Sequence, residues 1–300
     1  MPDRHDAPVI LGEVLFDRFP DGREILGGAP FNVAWHLRGF GLAPRLVSRV
    51  GDDGAGARVR RVMASWGLDD AWVQTDPERA TGRVEVRFRG EEAVYEIPPG
   101  QAFDRISPPD HDPAAADPPP LLYHGTLALR EGGAAALARL RGRCSGVFLD
   151  VNLRDPWWQE QHVCALLAAA DWVKLNHDEL ARLEPAADPA NLCRRHGLRG
   201  AVITEGARRV RWATDRGVTA EAAPPRVEDL VDTVGAGDAF SAVCLVGLAA
   251  DWDPATILTR AAAFAADVCR QPGATSADRD LYRREWCDEL RTGSTGDPSP

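Results

Sequence analysis

Short runs rich in β-branched residues alternate along this chain with Ala- and Leu-rich stretches of helical spacing. No other feature narrows the possible folds as much. Strands are expected at Arg45–Val50, Leu121–His124, Val147–Val151, Trp172–Leu175 and Ala201–Thr204. Helices are expected at Ala55–Trp66, where Val59, Val62, Met63 and Trp66 share one face, and at Glu131–Arg141, Gln159–Ala170 and Pro254–Arg270. Strand and helix in series predict an α/β fold of three layers, a mostly parallel sheet with helices on both faces. A chain of 300 residues with 44% apolar content suffices for one such core with a small appended piece.

One region breaks the rhythm. In Thr81–Ile97, Val84, Val86 and Phe88 alternate with Arg83, Glu85 and Arg87, and Arg89-Gly90-Glu91-Glu92 turns the chain back into Ala93–Ile97. This is the pattern of a hairpin with one apolar and one polar face. A second extended stretch, Glu13–Ile25, precedes Gly27-Gly28. Together, segments near 13–30 and 80–104 are expected to form a small β lid over a pocket. An antiparallel edge added to the main sheet is the plainer alternative. Residues 1–291 are expected to form one domain, with a Pro/Ala/Asp connector at Asp110–Pro120 and a disordered tail at 292–300.

Composition removes several functions. No stretch of about eighteen uncharged apolar residues suggests a membrane span, and the opening MPDRHDAPVI lacks the pattern of a secretory signal. A net charge of −10 argues against general nucleic-acid binding. Lys174 is the only lysine. Cys144, Cys164, Cys193, Cys244, Cys269 and Cys287 are scattered without metal-binding spacing, which suits small hydrophobes in a reducing cytoplasm.

The chemistry concentrates in Asp232–Phe240, DTVGAGDAF, followed by the apolar helical run Ser241–Ala250. Gly235 and Gly237 allow torsions that turn successive N–H groups into one concavity. The unsatisfied amides and positive dipole end of a helix start make that concavity an anion site without any lysine. Asp238 at its mouth suits a base that takes the proton of an attacking hydroxyl. The same Asp in the same place also suits an ordinary helix cap.

DTVGAGDAF is similar to the C-terminal signature of the ribokinase-like (PfkB) carbohydrate kinases. GGAPFNVAWHLRGFG (Gly27–Gly41) with RLVSRVGDDGAG (Arg45–Gly56) resembles the family's other signature. DVNLR (Asp150–Arg154), KLNHDEL (Lys174–Leu180) and VITEGA (Val202–Ala207) fall in the expected order between them, so the resemblance runs from about Val9 to about Ala274. It implies an ATP-dependent sugar kinase with Asp238 as base and the backbone of Gly235, Ala236 and Gly237 as anion hole. It further implies sugar contacts from Asp17, Gly28 and Asn32. Asn32 also suits the start of a helix at Val33–Gly39.

Asn176 and Glu179 resemble the family's N-x-x-E motif, which organises Mg²⁺, its waters and the phosphates of ATP. The same spacing also makes a helix capping box. Thr204 and Gly206 are similar to the ATP-phosphate loop, although Arg208 and Arg209 stand where the family often has another glycine. Either guanidinium is then a candidate phosphate contact. Asp232, the backbone near Val234, and Gly273 resemble a monovalent-cation (K⁺) site, and the adenine pocket is expected near the helix Thr256–Val268.

Arg154 is a candidate for a phosphate or a sugar oxygen, and Trp157 and Trp158 suit packing better than stacking. D-x-N-L-R with GGAPFN looks most like the fructokinase branch. Ribose, ketodeoxygluconate or nucleoside kinases remain alternatives, as do a catalytically silent sugar-binding relative and a plain nucleotide-binding module. The absence of G-x-x-x-x-G-K-[ST] excludes a P-loop kinase, and the absence of H-R-D…N with D-F-G excludes a protein kinase. An exposed edge of the lid sheet allows two copies to pair as a homodimer.

Overall fold

Residues 7–89, 92–110 and 120–287 are described by a computed structural model of the chain. The turn at Gly90-Glu91, most of the connector and the tail from Thr292 lie outside the described residues. The chain opens with β1 (Val9–Leu11), β2 (Leu15–Arg18) and β3 (Glu24–Gly27), then α1 (Ala29–Gly39), β4 (Arg45–Gly51), α2 (Gly54–Trp66) and β5 (Val73–Asp76). β6 (Gly82–Arg89), β7 (Glu92–Glu96) and β8 (Leu121–His124) follow. Helices and strands then alternate through α3 (Ala134–Arg141), β9 (Gly146–Asp150), α4 (Glu160–Leu167), β10 (Trp172–Asn176), α5 (His177–Leu183), α6 (Pro189–His196) and β11 (Gly200–Thr204). The hairpin β12 (Val210–Thr214) and β13 (Gly217–Ala222) precedes the long helices α7 (Ala236–Ala249) and α8 (Pro254–Val268).

The main sheet has nine strands in the order β13-β12-β11-β10-β9-β8-β1-β4-β5, parallel from β5 to β11 and antiparallel over β12 and β13. Alternate residues of its strands enter two separate cores, as the period-2 side-chain pattern requires. Ile10, Leu46, Tyr123, Phe148 and Val202 pack on α1, α2, α7 and α8. Val9, Leu11, Val47, Leu122, Val147, Leu149 and Ile203 pack on α3 to α6. The three-layer expectation holds. Each expected strand and helix is present to within a few residues. At α3, Gly132 and Gly133 delay the start to Ala134.

The lid segments form their own four-stranded sheet, order β3-β2-β6-β7, rather than an edge of the main sheet. β2 and β6 run parallel while the outer pairs are antiparallel. Strand order in the main sheet reverses between β1 and β8, since the chain first builds towards β5 and later towards β13. Open α/β sheets leave a crevice at the carboxyl ends of strands beside such a switch point. The lid sheet starts from that crevice, because β2 follows β1 after only three residues.

Candidate active site

A cavity of about 450 Å³ opens at this crevice. Its wall is built by residues just past β1, β9, β10 and β11, by the lid, and by the start of α7. Gly235 caps α7 with φ of 79°. A Cβ there would stand 2.5 Å from the Ala274 Cα, so both torsion and space demand glycine. The amide of Ala236 leans back on the Thr233 carbonyl at 3.3 Å, whereas those of Gly235, Gly237 and Asp238 find no acceptor among the described residues. α7 starts five residues before its apolar run, and Asp238 lies in its first turn without capping the helix through its side chain.

Asp238 instead turns to the cavity, where its Oδ2 accepts from Asn32 Nδ2 at 2.8 Å. Burial raises its pKa to about 6. Asn32, Lys174 and Arg154 hold it down, and Asp150 pushes it up. Asn32 lies within α1, which starts at Ala29 with Gly28 as its cap, so Asn32 does not begin a helix at Val33. Gly28 lies on the wall with φ of 107°, and a Cβ there would meet the Glu13 carbonyl at 2.7 Å.

Asp17 and Arg154 face the same end of the cavity. Burial pushes Asp17 up to about 6, opposed by Arg154. Over them lies one face of the lid, bearing Val84, Tyr95 and Ile97. Tyr95 is 49% exposed, an unusual position for a large ring. The sequence reading passed over it, although the hairpin's apolar face was visible in the pattern.

Beneath the α7 entrance, Lys174 Nζ sits 2.7 Å from each Asp150 oxygen, both residues being buried. Asp150 also accepts from Ser241 Oγ at 2.8 Å and Tyr123 Oη at 3.3 Å. A Cβ on Gly237 would lie 3.5 Å from the Lys174 ammonium, so the chain's one lysine underlies the open amides. Lysine as sole representative of its type was the available signal, and its pairing with Asp150 was not.

Asn176, Glu179 and Thr204 also line the cavity. The capping box forms: Glu179 N donates to Asn176 Oδ1 at 2.9 Å and Asn176 N to Glu179 Oε2 at 2.8 Å. Glu179 Oε1 accepts from Leu153 N at 2.8 Å. Gly206, with φ of 59°, lies off the cavity wall, and so does Asp232. Asp232 ties its loop together, accepting from Val234 N at 3.0 Å and Gly273 N at 3.1 Å. Arg209 pairs with Glu205 at 3.0 Å and Glu221 at 3.7 Å.

Trp157 and Trp158 pack as expected, under Arg130 and Arg182 at 4.3 and 4.5 Å. None of the six cysteines forms a disulfide, and Cys144 and Cys164 are only partly buried. No helix among the described residues is long and apolar enough to cross a membrane.

Comparison with known proteins agrees with this arrangement. The profile described as pfkB family carbohydrate kinase matches residues 11–280. A fructokinase of Klebsiella pneumoniae is 32% identical over 265 residues, covering 82% of this chain and 85% of that one. The fructokinase of Vibrio cholerae, solved with fructose, ADP and calcium ion, superposes with a TM-score of 0.75 at 23% identity over 93% of this chain and 99% of that one. The aminoimidazole riboside kinase of Salmonella enterica, solved with aminoimidazole riboside and an ATP analog, gives 0.74 at 26% identity over 96% and 99%.

Proposed function

The chain belongs to the pfkB family of carbohydrate kinases, and on that premise we propose that it phosphorylates fructose with Asp238 as general base. It is an ATP-dependent sugar kinase; the choice of sugar and the roles of the residues are our reading. The observation that carries it is the α7 entrance, where Gly235, Gly237 and Asp238, whose amides have no acceptor among the described residues, line one cavity with the Asp238 carboxylate. A carboxylate with a pKa of about 6 is ionised at neutral pH and still basic enough to accept a hydroxyl proton as the oxygen attacks.

Asn32 orients that carboxylate, leaving its other oxygen for the substrate. The amides of Gly235, Ala236 and Gly237 take the charge that grows on the phosphoryl oxygens, the bond from Ala236 to Thr233 being long enough to exchange. Asp17, Gly28, Asn32 and Arg154 hold the sugar while the lid face with Tyr95 excludes water. The sugar hydroxyl loses its proton to Asp238, its oxygen bonds to the γ-phosphorus, and the bond to the β-phosphate oxygen of ATP breaks to leave ADP.

Asn176, Thr204 and Gly206 are our candidates for the ATP phosphates. A Mg²⁺ held there would supply neutralisation of the phosphate charge. No group of three or more His, Cys, Asp or Glu suited to a metal occurs among the described residues. Both Glu179 oxygens already accept amides, so Glu179 fits contact through the ion's waters rather than direct ligation. Asp232 with the backbone near Val234 and Gly273 is the corresponding candidate for K⁺, and edge pairing of lid sheets is the candidate route to a homodimer.

The likeness to a riboside kinase favours one second reading, a nucleoside or ribose substrate in the same cavity. A screen of ADP release over fructose, ribose, ketodeoxygluconate, glucose and adenosine decides between them. Fructose should give the highest kcat/KM, and Asp238→Asn should lower kcat at least about a hundredfold while remaining folded. A clear preference for another acceptor refutes fructose, and an active Asp238→Asn refutes the base.

A further inference from the structure

Glu13 has no role in the reaction as described, yet its environment is hard to explain by packing. It follows β1, lines the cavity and is 4% exposed. Its Oε2 has no hydrogen-bond partner among the described residues. Burial lifts its pKa to about 7, with Arg154 and Arg130 pulling down and Asp238 pushing up. Arg130 is committed elsewhere, forked onto Asp104 at 2.7 and 2.8 Å and bonded to the Pro98 carbonyl at 2.7 Å.

A buried polar atom left unpaired is destabilising, a cost that methionine in the same space does not incur. Asn32 presents a second atom of this kind. Its Oδ1 is buried and unpartnered while its Nδ2 serves Asp238. The two residues are linked through Gly28, which leaves no room for a Cβ against the Glu13 carbonyl and caps the helix that carries Asn32. Two residues of the wall beside Asp238 therefore each carry a buried acceptor without a partner among the described residues.

We propose that Glu13 is a substrate-contacting, specificity-determining residue whose carboxyl group hydrogen-bonds a sugar hydroxyl other than the one phosphorylated. The assignment rests on the reading that the sugar lies beside Asp238. A polyol hydroxyl donates and accepts, so it satisfies this carboxyl in either protonation state. A sugar without that hydroxyl leaves Glu13 unpaired, the situation in which a polar pocket discriminates most strongly.

The test uses Glu13→Met and Glu13→Gln with the sugar returned by the ADP screen and its singly deoxygenated analogues. KM for sugar and for ATP are measured separately, with Tm. Glu13→Met should hold or raise Tm and raise KM for sugar about 10- to 100-fold. KM for ATP should stay within about twofold, and Glu13→Gln should restore part of the sugar affinity. One deoxy analogue should be a poor substrate for the wild type, yet Glu13→Met should treat it like the parent sugar.

A Glu13→Met variant with the wild-type ranking of analogues overturns the proposal. A fall in Tm with sugar and ATP affinities worsening together does the same, since that marks a structural residue. Asp238→Asn assayed alongside separates the two readings. Retained turnover there removes the site assignment on which this inference stands. Lost turnover with an unchanged analogue ranking in Glu13→Met removes the Glu13 contact alone.

Discussion

Replacing Lys174 with methionine probes the electrostatics under the α7 entrance. The Lys174 and Asp150 side chains are 8% and 3% exposed and meet at 2.7 Å. Removing the ammonium strands a buried carboxylate, and losing one partner of such a pair costs about 3–5 kcal/mol. Ser241 and Tyr123 still donate to Asp150, which places the loss towards the lower figure. The double variant Lys174→Met/Asp150→Asn removes both charges and should recover at least about half of that loss, because breaking the pair costs more than deleting it.

The two charges act oppositely on Asp238, whose pKa Lys174 lowers and Asp150 raises. With Asp238 as base, kcat/KM of the wild type should fall on the acid side near pH 6. That limb should move to higher pH in Lys174→Met and to lower pH in Asp150→Asn. Urea unfolding at pH 7 measures the first effect, and pH–rate profiles measure the second. A Lys174→Met protein as stable as wild type, or limbs that shift in the same direction, would show the reasoning to be wrong.

Gly235→Ala should destabilise the chain by about 1–3 kcal/mol and cut kcat at least about tenfold, since φ of 79° and the Ala274 backbone leave no room for a methyl group; wild-type Tm and kcat would contradict it. Tyr95→Ala should raise KM for sugar several-fold while changing stability by less than about 1 kcal/mol, because the ring is half exposed; equal sugar KM in both proteins rules out a lid contact. Glu13, Asp17 and Asp238 all have pKa values raised on folding. The native state therefore holds more protons than the unfolded state between about pH 4 and pH 7. Their contribution to stability is present below the unfolded pKa and is lost as pH rises through about 6–7. Chemical denaturation across that range should show a shallower decline in Asp17→Asn, and a decline as steep as wild type speaks against the raised value.

Much of the architecture was legible because local pattern and tertiary demand coincide. Val147, Leu149 and their neighbours alternate between two cores, and Val59, Met63 and Trp66 line one helix face, so periodicity alone located both layers. The candidate base was legible for a similar reason. Gly235 and Asp238 belong to one continuous helix start, whose geometry is set by residues adjacent in sequence. Asn176 and Glu179 were equally visible, but spacing alone left open a cap that the coordinates show to be formed.

Other features depend on partners distant in sequence. Lys174 meets Asp150 across neighbouring parallel strands, and Ser241 reaches the same carboxylate from a helix 91 positions away. Asn32 contacts Asp238 over 206 positions. Glu13 opens an extended stretch in the sequence, and only the fold buries it on the cavity wall with one oxygen lacking a partner among the described residues. Sequence by itself determined the layers, the lid hairpin and the phosphate-binding turn, because torsional preference and side-chain period act within a few residues. Charge pairing, desolvation and the separation of the lid into its own sheet were decided only by tertiary structure, because burial and Coulomb interactions depend on distance in space.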